Sequence, residues 1–401
     1  MKKLLQFIRY AVNLPLYRAS LLIPSDPCIW LFGARQGRAY AENSRHLFEH
    51  VNRHRPDIRA VWLTKDRHVL KRVRAMGYTC FMSSSIMGYW HTARAGAVFI
   101  THFNTQQYDL NFYVIKPGTP IIQLWHGSPL KKIIYDRQGS GFNTFSEGRI
   151  QRLLIKIFPF HRHKFEPDAV IAASDPVAGT LASAFSIPSE RILITGYPRN
   201  DTMLKTTVDR TEQGPIKILC APTFRDRDIP IFSGYGFDPD SLNRFCADRG
   251  IEFYLRPHPY SSALKTTLLQ QEDSQWKHLF LHENEDLHFT LGDFDMLVTD
   301  YSSILFDYLL LDRPVILIPF DIDRYRREEF DFYHDYDRVT PGPLARDWKE
   351  VMLQIDRFIK DPGLFREERT RVSFEFNLFT DSGSAERIIE AVQQLSGKSR
   401  Q

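Results

Sequence analysis

Two doubly wound α/β domains, facing each other across a cleft, are the architecture this sequence predicts. Three observations predict it. Short apolar runs alternate with helical patterns along most of the chain, the signature of βαβ units on parallel sheets. The alternation falls into two series, separated by a polar stretch from Asp201 to Gly214. The chain has 401 residues, more than one ordinary core accommodates. The expected division is 1–205 and 206–401.

The composition, 43% hydrophobic and 25% charged, is that of a water-soluble globular protein. No run of about 18 apolar residues exists to span a bilayer. Net charge is only +4, but the basic residues are unevenly placed. Up to Ser25 the chain carries Lys2, Lys3, Arg9 and Arg18 and no acid. A helix there puts Leu4, Leu5, Ile8, Ala11 and Val12 on one face, which suits either an anionic membrane surface or packing on its own domain. A second basic segment, Arg149 to Lys164, is open to the same two readings. Arg9, Asn13 and Arg18 interrupt the first apolar run and no small-residue cleavage site follows, so no signal peptide is expected. Cys28, Cys80, Cys220 and Cys246 match no zinc or redox spacing, which points to a reducing cytosol. Cys28 and Cys220 fall inside strand-like runs and are expected to be buried.

In order, the first series of strands is Cys28–Phe32, Ala60–Leu63, Ala97–Ile100, Pro120–Leu124, Ala169–Ala172 and Ile192–Ile194. The second is Ile216–Cys220, Ile251–Leu255, Leu279–Leu281, Met296–Val298 and Val315–Ile318. Ligands of such sheets gather at the carboxyl ends of the strands. There the sequence places Gly33 to Gly37, Thr101-His102, Trp125 to Lys132, Gly196 to Asp201, Ala221 to Asp226, Arg256 to Pro259 and Thr299 to Ser303. Arg, His and Ser thus recur at one edge of both sheets.

His126 follows a buried strand beside Gly127, with Pro129 suited to a first helical turn. Its imidazole is either a general base or a histidine tied to a neighbouring loop. In Arg256-Pro257-His258-Pro259 the prolines stiffen the loop, and Arg256 and His258 suit a phosphate. Arg225 is a further phosphate candidate, or pairs with Asp226 or Asp228. Ser302 and Ser303 open a helix after a strand. They are either phosphate ligands together with the backbone N–H groups, or simply N-caps. Asp307, one turn on, suits ribose hydroxyls or is an ordinary acid. Lys131 lies one turn beyond His126. No cluster has metal-ligand spacing, and no glycine-rich phosphate loop is present.

Trp125-His126-Gly127-Ser128-Pro129-Leu130-Lys131, Gly196 to Asp201, Pro222 to Asp226, Arg256-Pro257-His258 and Thr299 to Asp307 occur in that order, after an N-terminal motif with Gly33, Gly37, Tyr40 and Asn43. Together they resemble the CDP-glycerol glycerophosphotransferases, the bacterial enzymes of teichoic acid and related capsular polymers. The resemblance implies a GT-B fold and a CDP-glycerol or CDP-polyol donor, and with no metal motif in the sequence no cofactor is expected. It also implies a lipid-linked or polysaccharide acceptor and peripheral attachment to the cytoplasmic face of the membrane, with no nucleic acid partner. It gives His126 the role of base. Arg225, Arg256, His258, Thr299, Asp300, Ser302, Ser303 and Asp307 fall on the donor and phosphate side, and Gly127, Lys131 and Arg199 on the acceptor or supporting side. Known polymerases are usually longer at the N-terminus, which implies single addition as readily as polymerisation.

The reaction expected is attack of an acceptor hydroxyl on the β-phosphorus of the donor, releasing CMP and forming a phosphodiester. Alignment and charge neutralisation carry such a transfer. The alternatives are a sugar-nucleotide glycosyltransferase on the same frame and a non-catalytic nucleotide-binding scaffold.

Overall fold

The computed structural model describes residues 2–102, 109–110, 112–137, 153, 156–160, 167–207, 214–223, 231–232, 234–256, 276–283, 286–328 and 331–398. The chain forms two compact units. The first comprises Met1–His126, Ile134–Asp201 and Asp381–Gln401, and the second Gly127–Ile133 and Thr202–Thr380.

The first unit is built on seven parallel strands: β1 Ile29–Phe32, β2 Arg59–Thr64, β3 Cys80–Met82, β4 Ala97–Ile100, β5 Ile121–Gln123, β6 Ala169–Ala172 and β7 Ile192–Ile194. Their order is β3-β2-β1-β4-β5-β6-β7. The run Cys80-Phe81-Met82, short and without a β-branched residue, is the strand that the sequence pattern does not announce. Successive side chains of a strand point to opposite faces. Trp30 and Phe32 accordingly join one core with Phe48, Trp62 and Phe99, while Ile29 and Leu31 join the other with Val61 and Val98. Helix α1, Lys2–Ser20, covers the second face with Tyr10 and Tyr17. Helix α2, Glu42–His54, covers the first.

The second unit repeats the plan with β8 Ile216–Cys220, β9 Ile251–Leu255, β10 Leu279–Leu281, β11 Met296–Thr299 and β12 Val315–Leu317, ordered β10-β9-β8-β11-β12 and all parallel. Its core gathers Ile218, Cys220, Phe253, Leu255, Val298 and Ile316 with Trp348 and Val351 of the helix Trp348–Lys360. Each unit is thus a doubly wound fold in which strand order reverses once, beside its first strand. These are the two Rossmann-like units of a GT-B-like chain.

Three expectations change. The C-terminal helix Ser384–Lys398 does not belong with 206–380: Ala385, Ile388, Ile389 and Val392 pack into the core of the first unit. No helix forms after His126. Instead, Lys131 makes an antiparallel bridge with Phe332, and Tyr333 N donates to Leu130 O at 2.9 Å, so Gly127–Ile133 adds to the second unit. Cys28 is exposed just ahead of β1, while Cys220 is buried as expected.

A buried carboxylate starts the returning helix. Asp201 accepts from Ser384 N at 3.1 Å and Ala385 N at 2.8 Å, satisfying N–H groups that a helix start leaves open. Gly196, at φ 79°, lies so close that a Cβ there would meet Ser384 Oγ at 2.5 Å. Replacing Asp201 with Ala removes a distant cap and leaves buried donors unmet. It is expected to lower unfolding free energy by about 1–3 kcal/mol, measured by urea denaturation.

Candidate functional site

In the first unit, β1 and β4 flank the point where strand order reverses, and the loops at their carboxyl ends open there. Asp109, 1% exposed, ties these loops together, accepting from Gln36 N, from Thr101 N at 2.7 Å and from His102 N at 3.0 Å. Next along the edge, β5 runs into Leu124-Trp125-His126-Gly127. Trp125 has φ 47° and Gly127 φ 123°, so the backbone turns through a left-handed corner on both sides of the histidine. A bulky residue at positive φ is costly and needs outside support.

Asn43 supplies that support. Its Nδ2 donates to Leu124 O at 2.9 Å and Trp125 O at 3.1 Å, and its Oδ1 accepts from Arg199 N at 3.3 Å. Arg199 Nη1 then donates to His126 O at 2.7 Å. Arg199, expected on the acceptor or supporting side, grips the backbone of the histidine.

The half-buried His126 ring stacks on Trp125 at 4.0 Å between centroids and on His102 at 5.2 Å. Its Nδ1 is 3.5 Å from Thr101 O, which accepts the proton of that nitrogen and leaves the lone pair on Nε2. Burial, helped by His102, pushes the imidazole down to about 3, against the opposing pull of Glu42. His126 is a neutral acceptor and a weak base.

Glu42, itself at φ 64°, was not singled out in the sequence. Burial disfavours its charge, but His102, His126 and Arg35 outweigh that and hold it at about 2. Arg35 Nε donates to Oε1 at 2.8 Å, and Oε2 lies 3.6 Å from His102 Nδ1. The fold thereby assembles Glu42, His102 and His126 with ligand-type atoms within 4.8 Å of one another, a cluster that linear spacing does not reveal. The available signals were Thr101-His102 at a strand end and Asn43 in the N-terminal motif.

In the second unit the corresponding edge lies between β8 and β11. Thr299 Oγ1 donates to Ala221 O at 2.8 Å, and Asp300 Oδ1 accepts from Thr223 N at 2.7 Å and Tyr301 N at 2.6 Å. Both residues are fully buried. Their expected place among the phosphate ligands is corrected: they join the ends of two strands and shape the turn. Ser302 and Ser303 are half-buried at its tip. Ser303 has helical dihedrals and makes no side-chain capping bond to the helix Ile304–Tyr308, so the N-cap reading does not describe it. Asp307 is 1% exposed and accepts from His288 Nε2 at 3.1 Å, an anchor inside the fold and not an acceptor for ribose.

Arg256, at the end of β9, donates through Nη1 to His282 Nδ1 at 2.7 Å. Burial and the guanidinium push His282 down to about 4, so it stays a neutral acceptor, with Nε2 3.0 Å from Thr290 Oγ1. His282 too was absent from the sequence reading. Lys131 lies in the second unit with Nζ 5.7 Å from the Tyr325 ring centroid, a cation–π contact. Arg225 and His258 lie outside the described residues.

A family model described as CDP-Glycerol:Poly(glycerophosphate) glycerophosphotransferase matches residues 16–394. The chain is similar to a teichoic acid glycerol-phosphate transferase of Staphylococcus aureus, 27% identical over 393 residues, covering 92% of this chain and 94% of that protein. It is similar as well to a teichoic acid poly(glycerol phosphate) polymerase of Bacillus spizizenii, 25% identical over 396 residues, covering 93% and 94%. Among solved structures, the wall teichoic acid polymerase TagF matches with a TM-score of 0.72 at 20% identity, over 100% of this chain and 99% of the other. That likeness speaks to the fold.

Two of the depressed histidines, His126 and His282, set a pH dependence. In the unfolded chain both take up a proton near pH 6.5, whereas His126 and His282 in the fold wait until about 3 and 4. Between those limits the unfolded state binds more protons, so stability falls as pH drops below about 6.5. Each histidine contributes at most about 1.4 kcal/mol per pH unit. Urea midpoints at pH 7, 6 and 5 should decline in that order, and the His126 ring should show no NMR titration between pH 8 and 5.

Proposed function

The chain belongs to the CDP-glycerol:poly(glycerophosphate) glycerophosphotransferase family, and we propose from that premise that it transfers glycerol phosphate, or a related polyol phosphate, from a CDP-polyol to an acceptor hydroxyl. The products are CMP and a phosphodiester of a teichoic-acid-like or capsular polymer. The observation that supports this most directly is a neutral imidazole carried on a braced corner at the carboxyl end of β5.

A base this weak fits phosphoryl transfer better than it fits acyl transfer. In a loose transition state the bond from nucleophile to phosphorus is still slight, so the hydroxyl becomes strongly acidic only late. His126 Nε2 then needs to accept a hydrogen bond, orient the hydroxyl and take the proton at the end. Arg256, braced by His282, and the Ser302 and Ser303 hydroxyls are the donor-phosphate ligands in this reading, with Arg225 and His258 added from the family motifs. No cofactor is invoked. The acceptor is lipid-linked or a polysaccharide. Length does not decide between primase and polymerase, because a polymerase relative is covered over 94% of its own length.

No helix among the described residues is long and apolar enough to cross a membrane. Helix α1 nevertheless turns Tyr10, Asn13, Tyr17 and Ser20 inward and leaves Ile8, Val12 and Leu16 exposed in a stripe, followed by exposed Leu21 and Leu22 beside Arg18. An apolar stripe flanked by basic residues suits the surface of an anionic bilayer. Much of the second basic segment, 149–164, lies outside the described residues.

His126→Ala is expected to cut CMP release from CDP-glycerol by about 10²–10⁴-fold while donor affinity stays within a few-fold. Near-normal turnover would remove the base from the mechanism, and release of nucleotide from sugar nucleotides alone would favour a glycosyltransferase. In flotation with phosphatidylglycerol vesicles, the V12E/L16E double variant should lose most binding. Undiminished flotation of a folded variant would place the membrane contact elsewhere.

A further inference from the structure

We infer that Glu42, His102 and His126 form a binding site for a divalent ion of the zinc class. One carboxylate and two imidazoles are a ligand set that zinc accepts, usually leaving a fourth position to water or substrate. The three offer one ligand atom each, all within 4.8 Å of one another. Two ligands held about 2.0–2.1 Å from a tetrahedral ion lie about 3.3 Å apart. Glu42 Oε2 and His102 Nδ1, at 3.6 Å, are slightly wider than that and too far apart for a good hydrogen bond. A small inward movement seats the ion.

The second observation is the carboxylate oxygen itself. Glu42 is 9% exposed, and its Oε2 makes no hydrogen bond among the described residues, although an ionised buried oxygen without one is expensive. An ion bound there removes that cost. The outer contacts fit as well. Ligating carboxylates and histidines are commonly oriented through their other polar atom. Here Arg35 Nε donates to Glu42 Oε1, and Thr101 O takes the Nδ1 side of His126, which leaves the Nε2 lone pair available to an ion. Arg35 offsets the charge of Glu42, but carbonic anhydrase holds zinc with three neutral histidines, so net negative charge is not required.

An ion in this position takes the lone pair that the proposed base reaction needs. The site is thus an inhibitory one, and this consequence, unlike the binding, rests on the role given to His126. Metal and acceptor hydroxyl compete for one nitrogen.

The test starts with metal-free protein titrated with Co2+, read by the visible bands of the four-coordinate ion, followed by displacement with Zn2+ and competition against a chromophoric chelator. The expected result is one equivalent bound. E42Q keeps the shape and the Arg35 contact, and H102N alters a ring that is 29% exposed, so both should fold. Each should weaken binding by at least about 100-fold, more than loss of an outer partner costs. Failure to bind one equivalent, or unchanged affinity in both folded variants, overturns the site. Zn2+ should slow CMP release reversibly on addition of EDTA. Binding that depends on Glu42 and His102 but leaves turnover unaffected upholds the site and removes the base reading instead.

Discussion

The corner at Trp125-His126-Gly127 is the constraint on which the chemistry proposed for the first unit depends. Two positive φ angles flank the histidine, and the one at Trp125 is unfavourable in isolation. They persist because Asn43, fully buried on the first turn of α2, supplies two donors and an acceptor at once, and because Arg199 takes the next carbonyl. Neither residue has to touch substrate to be indispensable. Together they convert a strand end into a rigid mount for one imidazole, and rigidity is what positioning demands of a site in which alignment supplies most of the rate.

The second unit solves a related problem with different groups. Its Asp300 turn is fixed from within by Thr223, Tyr301 and the Tyr336 hydroxyl, with the half-buried Ser302 and Ser303 at its tip. Arg256 is held by a neutral histidine and not by a carboxylate. An acid in that place would neutralise the guanidinium and weaken its attraction for a phosphate. An imidazole accepts the same hydrogen bond and leaves the positive charge intact.

The fold was legible because the strands of doubly wound sheets are buried on both faces and read as continuous apolar runs. Ala97–Ile100, Ala169–Ala172 and Ile251–Leu255 coincide with β4, β6 and β9. Legibility failed where a run was short and lacked β-branched residues, as at β3, and where local helix chemistry lost to a long-range bridge, as at Lys131. His126 and the serines were singled out because they follow strands. Thr299, Asp300 and Asp307 lie in the same motif, but their side chains turn inward to serve the scaffold, and a motif does not record direction. Glu42, His102 and His282 matter through partners far away in sequence, which no local spacing expresses.

The return of the C-terminal helix to the first sheet has a consequence for synthesis. Most of the second unit is contiguous from Thr202 to Thr380, whereas the first waits for Ile388, Ile389 and Val392 before its core closes. Domains generally mature in the order they leave the ribosome. In this chain the first unit is completed only after the second has been translated, so an unfinished apolar face persists on the nascent polypeptide until Ile388 to Val392 have emerged.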